Sequence, residues 1–145
     1  MKIVVFDFNR TIYDPDSKKL SDGAKFVLKN LIKRGFSLIL ITKGDQRGNL
    51  VKNLGLDKYF KRIIVSKEKT KKDFEEIVSR EKADLEGSFV IGDRVRKEIT
   101  FGNSLGFKTI WFRNGKFAGE QPINEIEKPE YTVEKLKDVL QIIQR

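Results

Sequence analysis

Four polar positions in this chain stand directly behind short apolar runs. Asp7 follows IVVF, Thr42 follows LILI, a lysine-rich segment KEKTKK follows RIIVS, and Gly92-Asp93 follows FVI with Glu98 five residues further on. An aspartate that ends an apolar strand is costly to bury without a partner. Further acids brought beside it make sense mainly around a cation, because bare carboxylates repel one another. The chain has no His and no Cys. Imidazole acid/base chemistry, histidine-bound zinc, thiol nucleophiles and disulfides are therefore out, and chemistry must rest on carboxylates, lysines, hydroxyls or a hard metal.

These residues need a scaffold that carries strand ends to one place. The runs Ile3–Phe8, Ser37–Thr42, Arg62–Val65, Ser88–Ile91 and Lys108–Phe112 are short and rich in β-branched residues, and helical periods separate them. That alternation predicts repeated βαβ units and a three-layer, Rossmann-like α/β domain, with a central parallel sheet of about five strands and helices on both faces. Ala24, Val27, Leu28, Leu31 and Ile32 form one helical stripe that Gly35 ends. Further helices are expected over Gln46–Leu54, from a cap at Thr70, over Arg94–Leu105 and over Val133–Ile143. Arg113–Pro129 reads as the loosest stretch. In open α/β sheets the site lies beyond the carboxyl ends of the strands, where Asp7, Thr42, the lysines and Asp93 all fall.

At 145 residues, 39% hydrophobic and 35% charged, with eleven Phe, the chain is expected to fold as a single domain over residues 1–145. No apolar run approaches the ~20 residues needed to span a bilayer, and no signal-peptide pattern opens the chain, so the expected setting is the cytoplasm without a membrane partner. The formal charge of +9, from 30 Lys and Arg against 21 Asp and Glu, favours anionic partners or reflects a lysine-rich solvated surface.

Taken together and in this order, the four positions resemble the haloacid dehalogenase (HAD) superfamily of aspartate-nucleophile phosphohydrolases, over nearly the whole chain. Asp7-Phe8-Asn9-Arg10-Thr11 is similar to the first motif, Thr42 to the second, KEKTKKDF to the lysine motif and IGDRVRKEI to the acidic one. The resemblance implies Asp7 as nucleophile and Mg2+ as cofactor, held by Asp7, Asp93, the backbone of Asn9 and Glu98. It also implies Thr42 as a phosphoryl-oxygen donor and a lysine that neutralises Asp7, either Lys69 or Lys67. Lys43 and Arg10 join the substrate-binding candidates. Arg10, where the family commonly has Gly, either clamps a second anionic group or lies on the surface beside Asp14 or Asp16.

Asn9 breaks the pattern, since the family places its general acid/base there and an amide has no proton to exchange. Such a group contributes about 10²- to 10⁴-fold, so the expected consequence is slow turnover. The leading expectation is a magnesium-dependent phosphatase acting through an aspartyl-phosphate. Alternatives are a phosphate-binding or protein-interaction relative and, less favoured because Asp93 and Glu98 are kept, a metal-free dehalogenase-like hydrolase. The short gaps after Thr11 and after Thr42 leave no room for a cap domain, so the expected site is open to a phosphorylated small molecule or macromolecule, or covered in a homo-oligomer. Nucleic acid is the weaker partner class, because no aromatic-basic platform is evident.

Overall fold

The apolar strands assemble in the computed structural model as a six-stranded, wholly parallel sheet; the structure describes residues 1–44 and 47–144. The strands are β1 (Ile3–Asp7), β4 (Ser37–Lys43), β5 (Arg62–Ser66), β6 (Phe89–Gly92), β7 (Lys108–Phe112) and β8 (Tyr131–Val133), in the order β5-β4-β1-β6-β7-β8. A separate two-stranded hairpin, β2 (Tyr13–Asp14) and β3 (Lys19–Leu20), fills the short gap after Thr11. It is anchored where Tyr13 stacks on Phe8 with ring centroids 5.2 Å apart. Among the described residues no cap domain is inserted.

The alternation along each central strand divides the core. Val4 and Phe6 of β1 and Leu38 and Leu40 of β4 face one layer, with α1 (Ala24–Lys33), α2 (Arg47–Asn53) and α5 (Val139–Ile142). Ile3, Val5, Ile39 and Ile41 face the other, with α3 (Lys71–Glu81) and α4 (Thr100–Leu105). Because side chains alternate with period two, a continuous apolar strand can satisfy both layers at once. On α1, Val27, Leu28 and Leu31 are fully buried, and each such burial contributes about 1.5–3 kcal/mol.

Two expectations are corrected at the carboxyl end, and one lies outside the described residues. The sheet has six strands where about five were expected, and the helix expected over Val133–Ile143 is a strand, a 3-10 turn (Leu136–Asp138) and the four-residue α5. Val133 pairs with Phe112 in the ladder, so the first residues of that stretch serve the sheet edge. The apolar stripe survives the change, since Leu136, Val139 and Ile143 are buried. The expected start of the second helix at Gln46 lies outside the described residues.

Away from the strand ends, Glu81 closes α3 with a carboxylate that is fully buried. Lys61 Nζ lies 2.9 Å from it and Arg62 Nε donates to it at 2.7 Å. Burial works against its ionised form, but the hydrogen bonds from Lys61 and Arg62 outweigh that cost and hold the carboxyl below the usual glutamate range.

Candidate active site

The sheet order reverses about β1. The chain runs outward through β4 and β5, then crosses to β6, β7 and β8 on the other side, which puts the crevice at the carboxyl ends of β1, β4 and β6. Asp7 is the last residue of β1, Thr42 lies near the end of β4, where Ile41 pairs with Asp7, and Asp93 follows β6. A cavity of about 170 Å³ opens there, lined among others by Asp7, Asn9, Lys69, Asp93 and Glu98.

Each acid is placed by local structure. Asp7 is buried, and the Thr11 hydroxyl reaches its Oδ2 at 3.5 Å. The peptide of Asp93 is fixed by the Trp111 indole, whose Nε1 donates to the Asp93 carbonyl at 2.9 Å. Glu98 sits in a π-helical turn, Val95–Ile99, that precedes α4. One extra residue in a turn rotates the face it presents, a device often found at functional sites. Here Glu98 is turned inward and is 1% exposed.

Carboxylate oxygens of Asp7, Asp93 and Glu98 lie within 4.8 Å of one another. Lys69 Nζ donates to Asp7 and, at 2.6 Å, to Glu98. One ammonium facing three acids leaves excess negative charge in a buried place. Burial pushes the Asp93 carboxyl up to about 9, aided by the neighbouring Asp7 and Glu98. Burial likewise raises Glu98 to about 7, with Asp7 adding to the rise and Lys69 opposing it. Burial disfavours the Lys69 ammonium, but Asp7 and Glu98 outweigh it and raise that group well above the ordinary lysine range.

Of the two candidate lysines, Lys69 reaches the acids, and Lys67 is exposed outside the cavity lining. The reason is the start of α3. Asp73 Oδ2 accepts from the Thr70 backbone N–H at 2.9 Å, and the single Ser66 hydroxyl proton is shared between the Glu68 carbonyl at 2.9 Å and Asp73 Oδ2 at 3.2 Å. Those bonds close the loop between β5 and α3 and aim the residue just before the cap into the site.

Thr42 is buried with its hydroxyl unpartnered among the described residues, although it does not line the cavity itself. Asn9 Oδ1 and Glu98 Oε2 are also buried without partners. Lys43 is exposed at the cavity edge. Arg10 lines the cavity and also comes within 3.6 Å of the exposed Asp16. Four further lining residues were missed in the sequence: Glu68, Arg94, Lys97 and Phe117. Phe117 comes from the stretch read as loosest, which instead forms 3-10 turns at Gly115–Phe117 and Glu125–Glu127.

Comparison with known proteins agrees with this fold. A family model described as HAD-hydrolase-like matches residues 69–139. Over 129 residues the chain is 30% identical to a glyceraldehyde 3-phosphate phosphatase of Pyrococcus abyssi, covering 84% of this chain and 54% of that protein. Over 132 residues it is 29% identical to the pyrimidine 5'-nucleotidase PynA of Streptococcus pneumoniae, covering 85% and 54%. A crystal structure of a HAD phosphatase from Thermococcus onnurineus superposes with a TM-score of 0.80 at 16% identity, over 99% of this chain and 98% of that one. The fold and the order of its strand-end residues define a Rossmann-like domain of the HAD type. This chain belongs to the haloacid dehalogenase superfamily. It spans about half the length of the curated relatives it matches.

Proposed function

We propose that the chain hydrolyses phosphoric monoesters with Asp7 as nucleophile and a divalent cation, Mg2+, as cofactor. The observation that carries this reading is the convergence of Asp7, Asp93 and Glu98 within 4.8 Å at the switch point of the sheet, with Lys69 on two of the three. The donor set fits a hard cation: it consists of carboxylate oxygens, and Glu98 Oε2 is buried with no partner among the described residues. Asp7, Asp93 and Glu98 would hold the ion, which when bound neutralises the charge of the transferring phosphoryl oxygens.

The remaining chemistry belongs to the chain. One Asp7 carboxylate oxygen attacks phosphorus, forming an acyl-phosphate as the bond from phosphorus to the ester oxygen breaks. The Lys69 ammonium pairs with Asp7 and faces the incoming anion. The Thr42 hydroxyl, buried without a partner among the described residues just beneath the cavity lining, would donate to a phosphoryl oxygen that reaches it. Asn9 cannot protonate the leaving oxygen, which must take its proton from water, nor can its amide deprotonate the water that later hydrolyses the acyl-phosphate. Esters with good leaving groups depend least on the first of these steps.

The amide at position 9 also supports a second reading, a cradle kept for binding a phosphorylated ligand without turnover. Magnesium-dependent release of p-nitrophenol from p-nitrophenyl phosphate separates the two when wild type is assayed beside Asp7→Asn and Asn9→Asp. The hydrolase reading expects activity that Asp7→Asn abolishes and Asn9→Asp raises. Activity found only in Asn9→Asp would establish the cradle. The two relatives are named for different phosphoesters, so the ester is an open part of the proposal.

A further inference from the structure

Arg10 follows the nucleophile by three residues and has a left-handed backbone, φ 62°, a region that glycine enters freely and a long side chain does not. Both ends of its peptide are tied down. Its N–H donates to the Tyr13 carbonyl at 2.6 Å, and its carbonyl accepts from Asn114 Nδ2 at 3.0 Å. A strained non-glycine residue persists where the surrounding structure over-determines it, and such residues cluster at functional sites.

The side chain explains what that backbone accomplishes. Arg10 lines the same cavity as Asp7, its guanidinium lies 5.9 Å from the centre of the Phe117 ring, and its Nε is buried with no partner among the described residues. Its one ion pair among the described residues is with Asp16 at 3.6 Å, where the Asp16 side chain is 78% exposed and solvent screens the attraction. Phe117 is itself fixed. The Arg94 guanidinium stacks 3.9 Å from its ring centre, and Glu120 accepts from Arg94 Nη2 at 3.0 Å and from the Val95 N–H at 2.8 Å. Arg94 is thus neutralised by Glu120 and serves as a brace, whereas Arg10 keeps an unused donor.

From this geometry we infer that Arg10, backed by Phe117, forms a subsite for a second anionic group on the leaving side of the phosphoester, a carboxylate or a second phosphate. This deepens the phosphomonoesterase reading and names its substrate class: small phosphoesters with two anionic ends. A guanidinium suits both groups, because its planar fork matches their paired oxygens. Lys97, on the same cavity wall and without an ion pair among the described residues, adds to the field that draws a dianion in.

The test is equilibrium binding of non-hydrolysable phosphonates in saturating Mg2+, measured by calorimetry for wild type, Arg10→Gly and Arg10→Lys. Glycine suits the left-handed backbone, so Arg10→Gly tests the side chain without adding strain. The probes are 3-phosphonopropionate, propane-1,3-bisphosphonate and, with no second anion, n-propylphosphonate. The wild type is expected to bind at least one of the two probes with a second anionic group at least about tenfold tighter than n-propylphosphonate, and the better of the two identifies that group. Arg10→Gly should cut that preference about tenfold to a hundredfold, as expected for one hydrogen bond to a charged group, with Arg10→Lys in between. A wild type without preference, including one that binds no probe, or an Arg10→Gly that keeps it, overturns the subsite. A preference without hydrolysis of any ester leaves the subsite standing and sinks the hydrolase reading, and hydrolysis without preference does the reverse.

Discussion

Gly92 and Glu98 pack so closely that a β-carbon at position 92 would lie 2.8 Å from Glu98 Cβ and 3.0 Å from Glu98 Oε2. The glycine of the strand-Gly-Asp turn therefore gives Glu98 the space to lie beside Asp93. Its φ is not in the left-handed region, so it is the missing side chain that matters. Gly92→Ala should push the Glu98 carboxylate out of the cluster. We expect magnesium affinity and activity to fall about tenfold to a hundredfold, as for other changes that disturb the support of a metal ligand. A magnesium titration by calorimetry checks it, and an unchanged affinity would refute the role given to this contact.

Three carboxylates within 4.8 Å and one lysine lead us to expect a fold that is more stable with a cation than without. A ligand at a hundred times its dissociation constant stabilises by about 2.7 kcal/mol. For a domain of this size that is a rise in melting temperature of roughly 5–10 °C. Thermal melts with excess Mg2+ against EDTA should show it in the wild type, and Asp93→Asn should remove most of it. Equal melting temperatures in Mg2+ and EDTA would leave the cluster as a purely structural feature.

Lys69 is the one cation that touches the cluster among the described residues. Lys69→Met removes that charge at similar length and leaves Asp7, Asp93 and Glu98 to repel one another. Without metal the variant should melt below the wild type, and added Mg2+ should raise its melting temperature by more than it raises that of the wild type. Turnover should still fall about 10²- to 10³-fold, since the lysine also faces the transferring group. A smaller magnesium response in Lys69→Met than in wild type would show that the lysine helps to bind the metal indirectly and does not merely substitute for its charge.

The sheet was legible because buried parallel strands are continuous apolar runs, and the site's address followed from topology: whatever ends β1, β4 and β6 meets at the switch point. Asp7, Thr42 and Asp93 could be placed that way. Choosing between Lys67 and Lys69 required the cap at Thr70 and the Ser66–Asp73 bond, which fix the direction of a loop and leave no periodic trace. β8 was hidden because YTV is three residues long and runs into a helical stripe whose inward positions stay inward in either form. Phe117 was hidden for another reason: it is held by Arg94 and Glu120, contacts between segments that no local pattern encodes.

Glu81 tests the fold apart from the site. Its side chain is fully buried while Lys61 and Arg62 remain 44% and 35% exposed, so removing the acid frees two cations that can reach water. We expect Glu81→Gln to destabilise by about 1–3 kcal/mol at pH 7, the range for a charged hydrogen-bonded group lost from a buried place. The pH dependence follows from the sign of the shift. A carboxyl whose folded value lies below the ordinary glutamate value near 4.5 stabilises the fold above that pH, and the contribution disappears as pH falls through the lowered value. Urea unfolding of wild type and Glu81→Gln between pH 7 and pH 2.5 should therefore give two stability curves that are separate at neutral pH and converge in acid. Curves that stay parallel over that range would mean that the destabilisation comes from altered packing and not from the ion pairs with Lys61 and Arg62.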